Sequence, residues 1–210
     1  MLRLVYFADP MCSWCYGFGP QLAALVAREA PVDLLLVLGG LRPYDTKVMD
    51  EAMKTMLRQH WRHVHEASGL PFSEAVLARD DFIYDTEPAC RAVVTVRARV
   101  PKRALDYLHS VQTAFYRDGL DVTQIDVLAD IAVAYDFKRD VFLAAWDSDE
   151  AKRATRVDFE TTKQLGVTGF PTLAMDREGR LHAVAAGFTT MDKLVERIAE
   201  IAADGSAAEV

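Results

Sequence analysis

The chain has 210 residues, of which 51% are apolar, and its formal net charge is −7. This length fits one domain, or one domain with a large insertion, and the apolar content is enough for a substantial core rather than a disordered chain. The negative charge argues against nucleic acid or an anionic membrane surface as the main partner.

The chain begins with MLRLVYFADP, which enters a strand pattern at once. This stretch lacks the long apolar segment and the small-residue cleavage site of a signal peptide. No apolar run approaches the roughly 18 residues that a membrane-spanning helix needs. We therefore expect a cytoplasmic protein with no membrane partner.

The first part of the chain has the pattern strand, helix, strand. Residues 2–7 alternate and are rich in strand formers, residues 12–28 predict a helix with a kink at Pro20, and residues 32–38 are almost continuously apolar. Gly39 and Gly40 stop the second strand. Two strands joined through a helix are expected to lie parallel, with a right-handed crossover.

The middle of the chain has helical spacing. The predicted helices cover residues 45–67, 87–99, 102–117, 123–135, 139–146 and 149–164. Thr86 is predicted to cap the second of these helices, and a capping-box pattern at Thr123 is predicted to open the fourth. No repeat or flexible linker interrupts this block, so we expect it to pack on the rest of the protein.

The last part returns to strands. Residues 172–175 and 181–186 flank a turn and predict an antiparallel hairpin, and a capping-box pattern at Thr189 opens a helix from residue 190 to residue 203. The element order predicts an α/β fold, with a thioredoxin-like core (β-α-β … α-β-β-α) that carries a large all-helical insertion. We place the core in residues 1–42 and 150–205, the insertion in residues 43–149, and a flexible tail in residues 206–210.

The stretch DPMCSWCYGFGP holds two of the three cysteines, Cys12 and Cys15. In a cytoplasmic protein such a C-x-x-C pair indicates redox catalysis or a metal site. Structural zinc would need two more ligands at a matching spacing, and the remaining cysteine, Cys90, is isolated. Three histidines in QHWRHVHEA, at positions 60, 63 and 65, are better explained as the solvated face of a helix. A structural disulfide or a pair of inert thiols would also fit the spacing.

The spacing of the two cysteines suits thiol chemistry. At the first turn of a helix, free backbone N–H groups and the helix dipole stabilise the negative charge of a Cys12 thiolate. Cys15 lies one turn deeper on the same face. We therefore expect Cys12 to be the exposed attacking thiol, and Cys15 to be the thiol that resolves the mixed disulfide.

Two motifs resemble those of the thioredoxin superfamily, and specifically of its DsbA-like branch. DPMCSWCYGFGP is similar to the active-site segment of cytoplasmic FrnE-type oxidoreductases, and GVTGFPT, residues 166–172, is similar to a loop that carries a cis proline facing the cysteines. The resemblance implies a protein-disulfide oxidoreductase or isomerase. It also implies that Pro171 is cis and that Gly169 and Phe170, with Trp14, contact an extended substrate.

The sequence departs from the family pattern at two places. Tyr6 stands six residues before Cys12, where thioredoxins and DsbA carry a buried acid. The family pattern therefore does not identify the group that exchanges protons with Cys15. The dipeptide between the cysteines is Ser13-Trp14. Some relatives that lost their cysteines are glutathione transferases or isomerases, which leaves a glutathione-dependent enzyme and a chaperone-like peptide binder as alternative functions.

Four aromatic residues could form an apolar rim for unfolded peptide: Trp14, Tyr16, Phe18 and Phe170. Core packing competes with this role for Tyr16 and Phe18. Cys90 is predicted to be a buried small apolar residue. The expected partners are protein or peptide thiols and disulfides, with glutathione or a thioredoxin system as electron donor or acceptor and no metal or tightly bound organic cofactor. The helical insertion is a candidate surface for a homodimer.

Overall fold

A single four-stranded sheet forms the centre of the protein in the computed structural model, which describes residues 1–203. The strands are β1 (Leu2–Ala8), β2 (Val32–Leu38), β3 (Thr172–Arg177) and β4 (Arg180–Ala186). Their order is β2-β1-β3-β4, with β1 parallel to β2 and antiparallel to β3, and with β3 and β4 paired as a hairpin. The predicted fold class is therefore confirmed, whereas the tail predicted for residues 206–210 lies outside the described residues.

Eight α-helices surround this sheet within residues 1–203. They are α1 (Ser13–Arg28), α2 (Glu51–Ser68), α3 (Glu87–Arg99), α4 (Ala104–Tyr116), α5 (Ile125–Val133), α6 (Arg139–Asp147), α7 (Asp149–Gln164) and α8 (Met191–Ala203). A 3₁₀ turn, Pro101–Arg103, precedes α4. Helices α2 to α6 form the helical insertion between β2 and α7. The domain limits at residues 42/43 and 149/150 stay a prediction.

Strand β1 is buried on both faces. Its side chains Leu4 and Tyr6 belong to the main core, which α1 and the insertion share, whereas Val5 and Phe7 pack in a smaller cluster on the other face. A strand covered on both sides needs apolar residues at every position rather than at alternate positions. The carboxyl end of β1, where α1 begins, is consequently enclosed by protein on several sides.

An ion pair fixes the edge strand β2 to two helices. Arg97 on α3 donates to both carboxylate oxygens of Asp158 on α7, at 2.7 and 2.9 Å, and also donates to the Leu36 carbonyl. One of those carboxylate oxygens accepts from the Leu38 backbone N–H at 2.8 Å. Because these groups satisfy backbone atoms at the sheet edge, they hold the strand end that leads to Gly39.

Helix α2 begins six residues later than predicted. The Asp50 carboxylate accepts from the Met53 backbone N–H at 2.8 Å and so caps the helix. Just upstream, Val48 pairs with Ile83 in an isolated β-bridge, which is incompatible with a helix through that residue. The predicted start at residue 45 is therefore wrong, because a local cap and a distant bridge compete with helical spacing.

Two predicted helix caps and two further helix starts differ in detail, although α3 begins at Glu87 as predicted. The Thr86 hydroxyl accepts from the Arg42 backbone N–H at 3.2 Å instead of capping α3. The Thr123 hydroxyl donates to Asp121, and α5 begins at Ile125 without a side-chain cap. Helix α8 begins at Met191, one residue later than predicted. The two capping predictions at Thr86 and Thr123 are wrong, because nearby polar groups take these oxygens.

No helix of residues 1–203 is both long and apolar enough to cross a membrane.

Candidate active site

Cys12 and Cys15 lie just beyond the carboxyl end of β1, at the start of α1. Cys12 immediately precedes the first helical residue, and Cys15 falls in the first turn. Both are free thiols. Cys12 is 6% exposed and Cys15 is fully buried. Cys12 is thus the more accessible thiol, as expected, but the prediction that it is an exposed residue is wrong, because its thiol points at the Phe170 carbonyl.

The loop from Gly169 to Pro171 faces this helix start. The Cys12 thiol donates to the Phe170 carbonyl oxygen at 3.5 Å, and the Phe170–Pro171 peptide bond is cis. Gly169 is exposed, Phe170 is half-buried and Pro171 is buried. The structure therefore brings together the residues of the two sequence motifs.

Gly39 provides the space for the Phe170 ring. A Cβ atom at Gly39 would lie 1.9 Å from the Phe170 Cζ, which is far closer than packed atoms approach. From the sequence, Gly39 is predicted only to end β2. Its role beside the site could not be recognised, because Phe170 lies 131 residues later in the chain.

Asp9, three residues before Cys12, is a buried acid whose place in the site the sequence did not predict. Its side chain is fully buried, and it accepts hydrogen bonds from the Met11 N–H at 2.8 Å, the Leu41 N–H at 2.6 Å and the Cys90 thiol at 3.4 Å. The bond to Met11 makes a tight turn of the kind that Asp side chains favour. Burial raises the pKa of the Asp9 carboxyl, and the two backbone N–H groups partly offset this rise.

The resolving position, Cys15, lies in the same buried environment. Burial raises the pKa of the Cys15 thiol well above its ordinary value, and the neighbouring Cys12 sulfur acts in the same direction. The backbone N–H of Asp9 lowers this pKa, whereas the charge of the Asp9 carboxylate raises it by a smaller amount. A thiol held in its neutral form needs a proton acceptor before it can act as a nucleophile.

Tyr6 lies on β1 beneath the cysteines. Its side chain is fully buried, and its hydroxyl lies beside the Cys15 thiol without a hydrogen bond of good geometry to any residue described. Burial, and then the two cysteines, raise the pKa of this hydroxyl well above its ordinary value. Tyr6 is therefore a neutral group that can donate a hydrogen bond, and it does not supply a base at the position of the family's acid.

The helical insertion supports the loop before Cys12 through two contacts. Cys90 on α3 is fully buried, as predicted, but its thiol donates to Asp9 rather than packing only as an apolar group. The Tyr84 hydroxyl donates to the Met11 carbonyl oxygen at 2.6 Å. No local signal in the sequence identifies Tyr84, because its partner lies 73 residues away.

The predicted aromatic rim is smaller than expected. Trp14 and Phe170 are half-buried, whereas Tyr16 and Phe18 belong to the core, with Tyr16 stacked on Tyr116 at 5.1 Å between ring centroids. The Trp14 ring also contacts Phe188, at a centroid distance of 5.8 Å, which the sequence did not predict. A cleft of about 360 Å³ is lined in part by Gly169 and Phe170.

The histidine cluster on α2 forms a solvated surface, as predicted. The three histidines, at positions 60, 63 and 65, are all exposed. Across residues 1–203, no group of three or more His, Cys, Asp or Glu side chains is arranged to hold a metal ion.

Comparisons with known proteins agree with this architecture. A family model described as a DSBA-like thioredoxin domain matches residues 3–199. A candidate protein disulfide isomerase from Nitrosomonas europaea is 32% identical, with a TM-score of 0.88 over 97% of this chain and 99% of that chain. The cytosolic disulfide reductase DsbM from Pseudomonas aeruginosa, which has also been solved with GSH, shares the fold at 23% identity, with a TM-score of 0.79 over 97% of this chain and 100% of that chain.

Among curated proteins, the ClpXP adapter protein SpxH from Halalkalibacterium halodurans is 24% identical over 188 residues. The match covers 85% of this chain but only 61% of that relative. The shared fold, the strand-to-helix position of the two cysteines and the family match over nearly the whole described chain lead to one conclusion. This chain belongs to the DSBA-like thioredoxin domain family.

Proposed function

We propose that this protein is a thiol-disulfide oxidoreductase that exchanges disulfides with protein or peptide substrates through Cys12 and Cys15. The observation that carries this proposal is the asymmetry of the two free thiols. Cys12, at the start of α1, is 6% exposed, whereas Cys15, one turn further on, is fully buried. Such a pair suits an attacking and a resolving thiol.

In the first step, the Cys12 thiolate attacks one sulfur of a substrate disulfide. The substrate S–S bond breaks, a mixed disulfide with Cys12 forms, and the other substrate sulfur leaves as a thiolate. Unpaired N–H groups of the first turn of α1 stabilise the attacking thiolate. In the reduced protein, the Phe170 carbonyl holds the Cys12 thiol by its hydrogen bond until the substrate approaches.

In the second step, Cys15 loses its proton and attacks the Cys12 sulfur. The Cys12–Cys15 disulfide forms and the second substrate sulfur is released, so the substrate gains two electrons. We assign the Asp9 carboxylate as the proton acceptor, because it is a buried acid in the loop before Cys12, its charge acts on the Cys15 thiol, and burial raises its pKa. The proton then passes to the departing substrate thiolate. Run in reverse, the same steps oxidise a dithiol substrate.

The proposed substrate surface consists of Trp14 and the loop from Gly169 to Pro171. Phe170 and Trp14 are half-buried aromatic residues of this surface, and the Phe170 backbone is the group with which an extended substrate would pair. The chemistry proposed for this surface uses no metal or tightly bound organic cofactor.

Glutathione is our proposed small-molecule exchange partner, and the cytoplasm is our proposed compartment. The support is the structural similarity to DsbM, which is described as a cytosolic disulfide reductase and has been solved with GSH. A second candidate function, an adapter that binds other proteins without redox chemistry, is favoured by the match to SpxH. This candidate predicts that binding to other proteins survives the loss of both thiols.

A trapping experiment tests the proposal. Cys15→Ser cannot resolve a mixed disulfide, so it should accumulate a covalent adduct with a disulfide-containing model peptide, visible by intact mass. Cys12→Ser should form no adduct. Cys15→Ser/Cys90→Ala should trap the peptide as well as Cys15→Ser does, because Cys90 has no attacking role. Equal trapping by Cys12→Ser, or no adduct with any variant, would overturn the proposal.

A further inference from the structure

Helix α3 of the insertion brings a third thiol to the acid that precedes the cysteine motif. Cys90 lies in the first turn of α3 and is fully buried, and its thiol donates a hydrogen bond to the Asp9 Oδ2 atom at 3.4 Å. The two residues are 81 positions apart in the chain. Neither step of the proposed disulfide exchange uses the Cys90 sulfur, so the reason for this contact lies elsewhere.

The Asp9 carboxylate accepts hydrogen bonds from three segments of the chain. Its Oδ1 atom accepts from the Met11 N–H at 2.8 Å, and its Oδ2 atom accepts from the Leu41 N–H at 2.6 Å and from the Cys90 thiol. The first two donors are backbone groups, which every side chain at those positions would leave in place. The third donor belongs to a side chain, so the residue type at position 90 decides whether it exists.

The donors around Asp9 favour its ionised form. Burial raises the pKa of the Asp9 carboxyl, and two backbone N–H groups, the Thr86 hydroxyl and the Cys90 thiol oppose this rise. A hydrogen bond to the charged form of an acid stabilises that form. Asp9 can take a proton from Cys15 only while it is ionised. The Cys90 donor therefore extends the range in which Asp9 is ready to act toward lower pH.

Cys90 itself keeps its proton. Burial, and then the charge of Asp9, raise the pKa of the Cys90 thiol well above its ordinary value. The S–H group is therefore present near neutral pH as a weak donor. Because the side chain is fully buried, a substrate disulfide does not reach its sulfur.

We propose that Cys90 is a positioning residue of the second step, in which its thiol holds the Asp9 carboxylate in the ionised form that takes the proton from Cys15. This inference rests on the proposed function, since it needs Asp9 as the proton acceptor. Cys90 gives up neither a proton nor an electron in the step. Helix α3 thus contributes a group to the chemistry, and the insertion does more than cover the core.

Other titratable groups face Asp9 or Cys90 from the elements packed around them. They are Cys15 on α1, Glu87 on α3, Tyr84 before α3 and Tyr116 on α4. Burial raises the pKa of both tyrosines and of Cys15, so these groups are neutral near pH 7. The Glu87 carboxylate is paired with Arg91 at 3.0 Å. Since Glu87 is also an acid, the titration of Asp9 has to be observed at Asp9 itself.

The first measurement follows the Asp9 carboxyl carbon against pH by ¹³C nuclear magnetic resonance. The full-length reduced protein carries Cys12→Ser, which removes the titration of the accessible thiol, and the signal is identified by its loss in Asp9→Asn. Adding Cys90→Ala should raise the midpoint by about half a pH unit or more, because a donor to the ionised form is gone. Cys90→Ser keeps a donor and should return the midpoint to the value with Cys90, or below it.

The second measurement follows release from the Cys12 mixed disulfide against pH, by rapid quenching and intact mass, with Cys12 and Cys15 intact. The pH of half-maximal release should rise in Cys90→Ala by the same amount as the Asp9 midpoint and should return in Cys90→Ser. The attack by Cys12 should change little. Val94→Ala removes buried apolar groups from the same helix, so it controls for lost packing and should move neither value.

An unchanged Asp9 midpoint in Cys90→Ala would overturn the inference. An equal shift in Val94→Ala, or a Cys90→Ser variant that behaves like Cys90→Ala, would also overturn it, because either result assigns the effect to packing. If the midpoint moves and the release profile does not, Cys90 has no part in the second step. If no mixed disulfide forms on Cys12 in any variant, the proposed function itself has failed, and the role of Cys90 fails with it.

Discussion

The Cys12 thiol donates a hydrogen bond to the Phe170 carbonyl oxygen at 3.5 Å, although the two residues are 158 positions apart in the chain. This contact joins the two parts of the thioredoxin-like core across the whole helical insertion. It also places the accessible thiol against the backbone with which we expect a substrate to pair. The reactivity of Cys12 therefore depends on the position of the loop that carries Phe170.

The difference in burial among the three thiols predicts selective alkylation. In the native reduced protein, iodoacetamide should label Cys12 alone, because Cys15 and Cys90 are fully buried and burial raises the pKa of both thiols. Intact mass should show one added group before denaturation and three afterwards. Labelling of Cys15 or Cys90 at a rate similar to that of Cys12 would contradict this account of the site.

Asp9→Asn should slow the second step of the reaction more than the first. Asparagine cannot take the Cys15 proton, and general bases contribute about 10²–10⁴-fold to such steps, so release from the mixed disulfide should slow by at least about tenfold. The attack by Cys12 should change little. Rapid quenching and intact mass, which follow the mixed disulfide in time, separate the two rates.

The matched control is Asp121→Asn, since the Asp121 carboxylate also stabilises a turn, by accepting from the Thr123 N–H at 3.0 Å. It should leave both rates unchanged. If Asp9→Asn slows attack and release equally, Asp9 only shapes the loop before Cys12, and the proton must leave Cys15 by another route.

The raised pKa of Asp9 also predicts a pH dependence of stability. The folded state holds this proton more tightly than the unfolded chain, so the carboxyl stabilises the fold at low pH. That contribution is lost as pH rises from the unfolded value of about 3.9 through the higher folded pKa. The unfolding free energy of the wild type, relative to Asp9→Asn, should therefore fall as pH rises in this window. Urea unfolding across this pH window measures the difference in unfolding free energy. A difference that rises with pH would contradict a raised pKa of Asp9 in the folded state.

Gly39→Ala should displace the Phe170 ring. The added Cβ would lie 1.9 Å from the Phe170 Cζ, and overpacking of this kind costs roughly 1–3 kcal/mol of unfolding free energy. In a Phe170→Ala background the clash is gone, so the same substitution should cost much less. Gly169→Ala is the control, because a Cβ there meets no atom within 4 Å. Equal costs in both backgrounds would show that the ring is not held against Gly39.

The fold was predictable from the sequence where the pattern is local. Apolar spacing placed the four strands and the long helices, and the two motifs placed Cys12, Cys15 and Pro171. Helix caps were less predictable, because the hydroxyl groups of Thr86 and Thr123 bond outside the helices they were expected to cap.

The site was only partly predictable, because most of its contacts join distant segments. Asp9 is adjacent to the cysteine motif, but its partners Leu41 and Cys90 come from other elements. The contact between Gly39 and Phe170 also joins two segments that are distant in the sequence.

The most direct test of the proposed dithiol mechanism is the redox equilibrium of Cys12 and Cys15. The protein would be incubated in glutathione buffers of graded potential, alkylated, and analysed by intact mass and peptide mapping. We predict one reversible two-electron transition that links Cys12 to Cys15 and leaves Cys90 reduced. If no Cys12–Cys15 disulfide forms in any buffer, the dithiol mechanism is wrong.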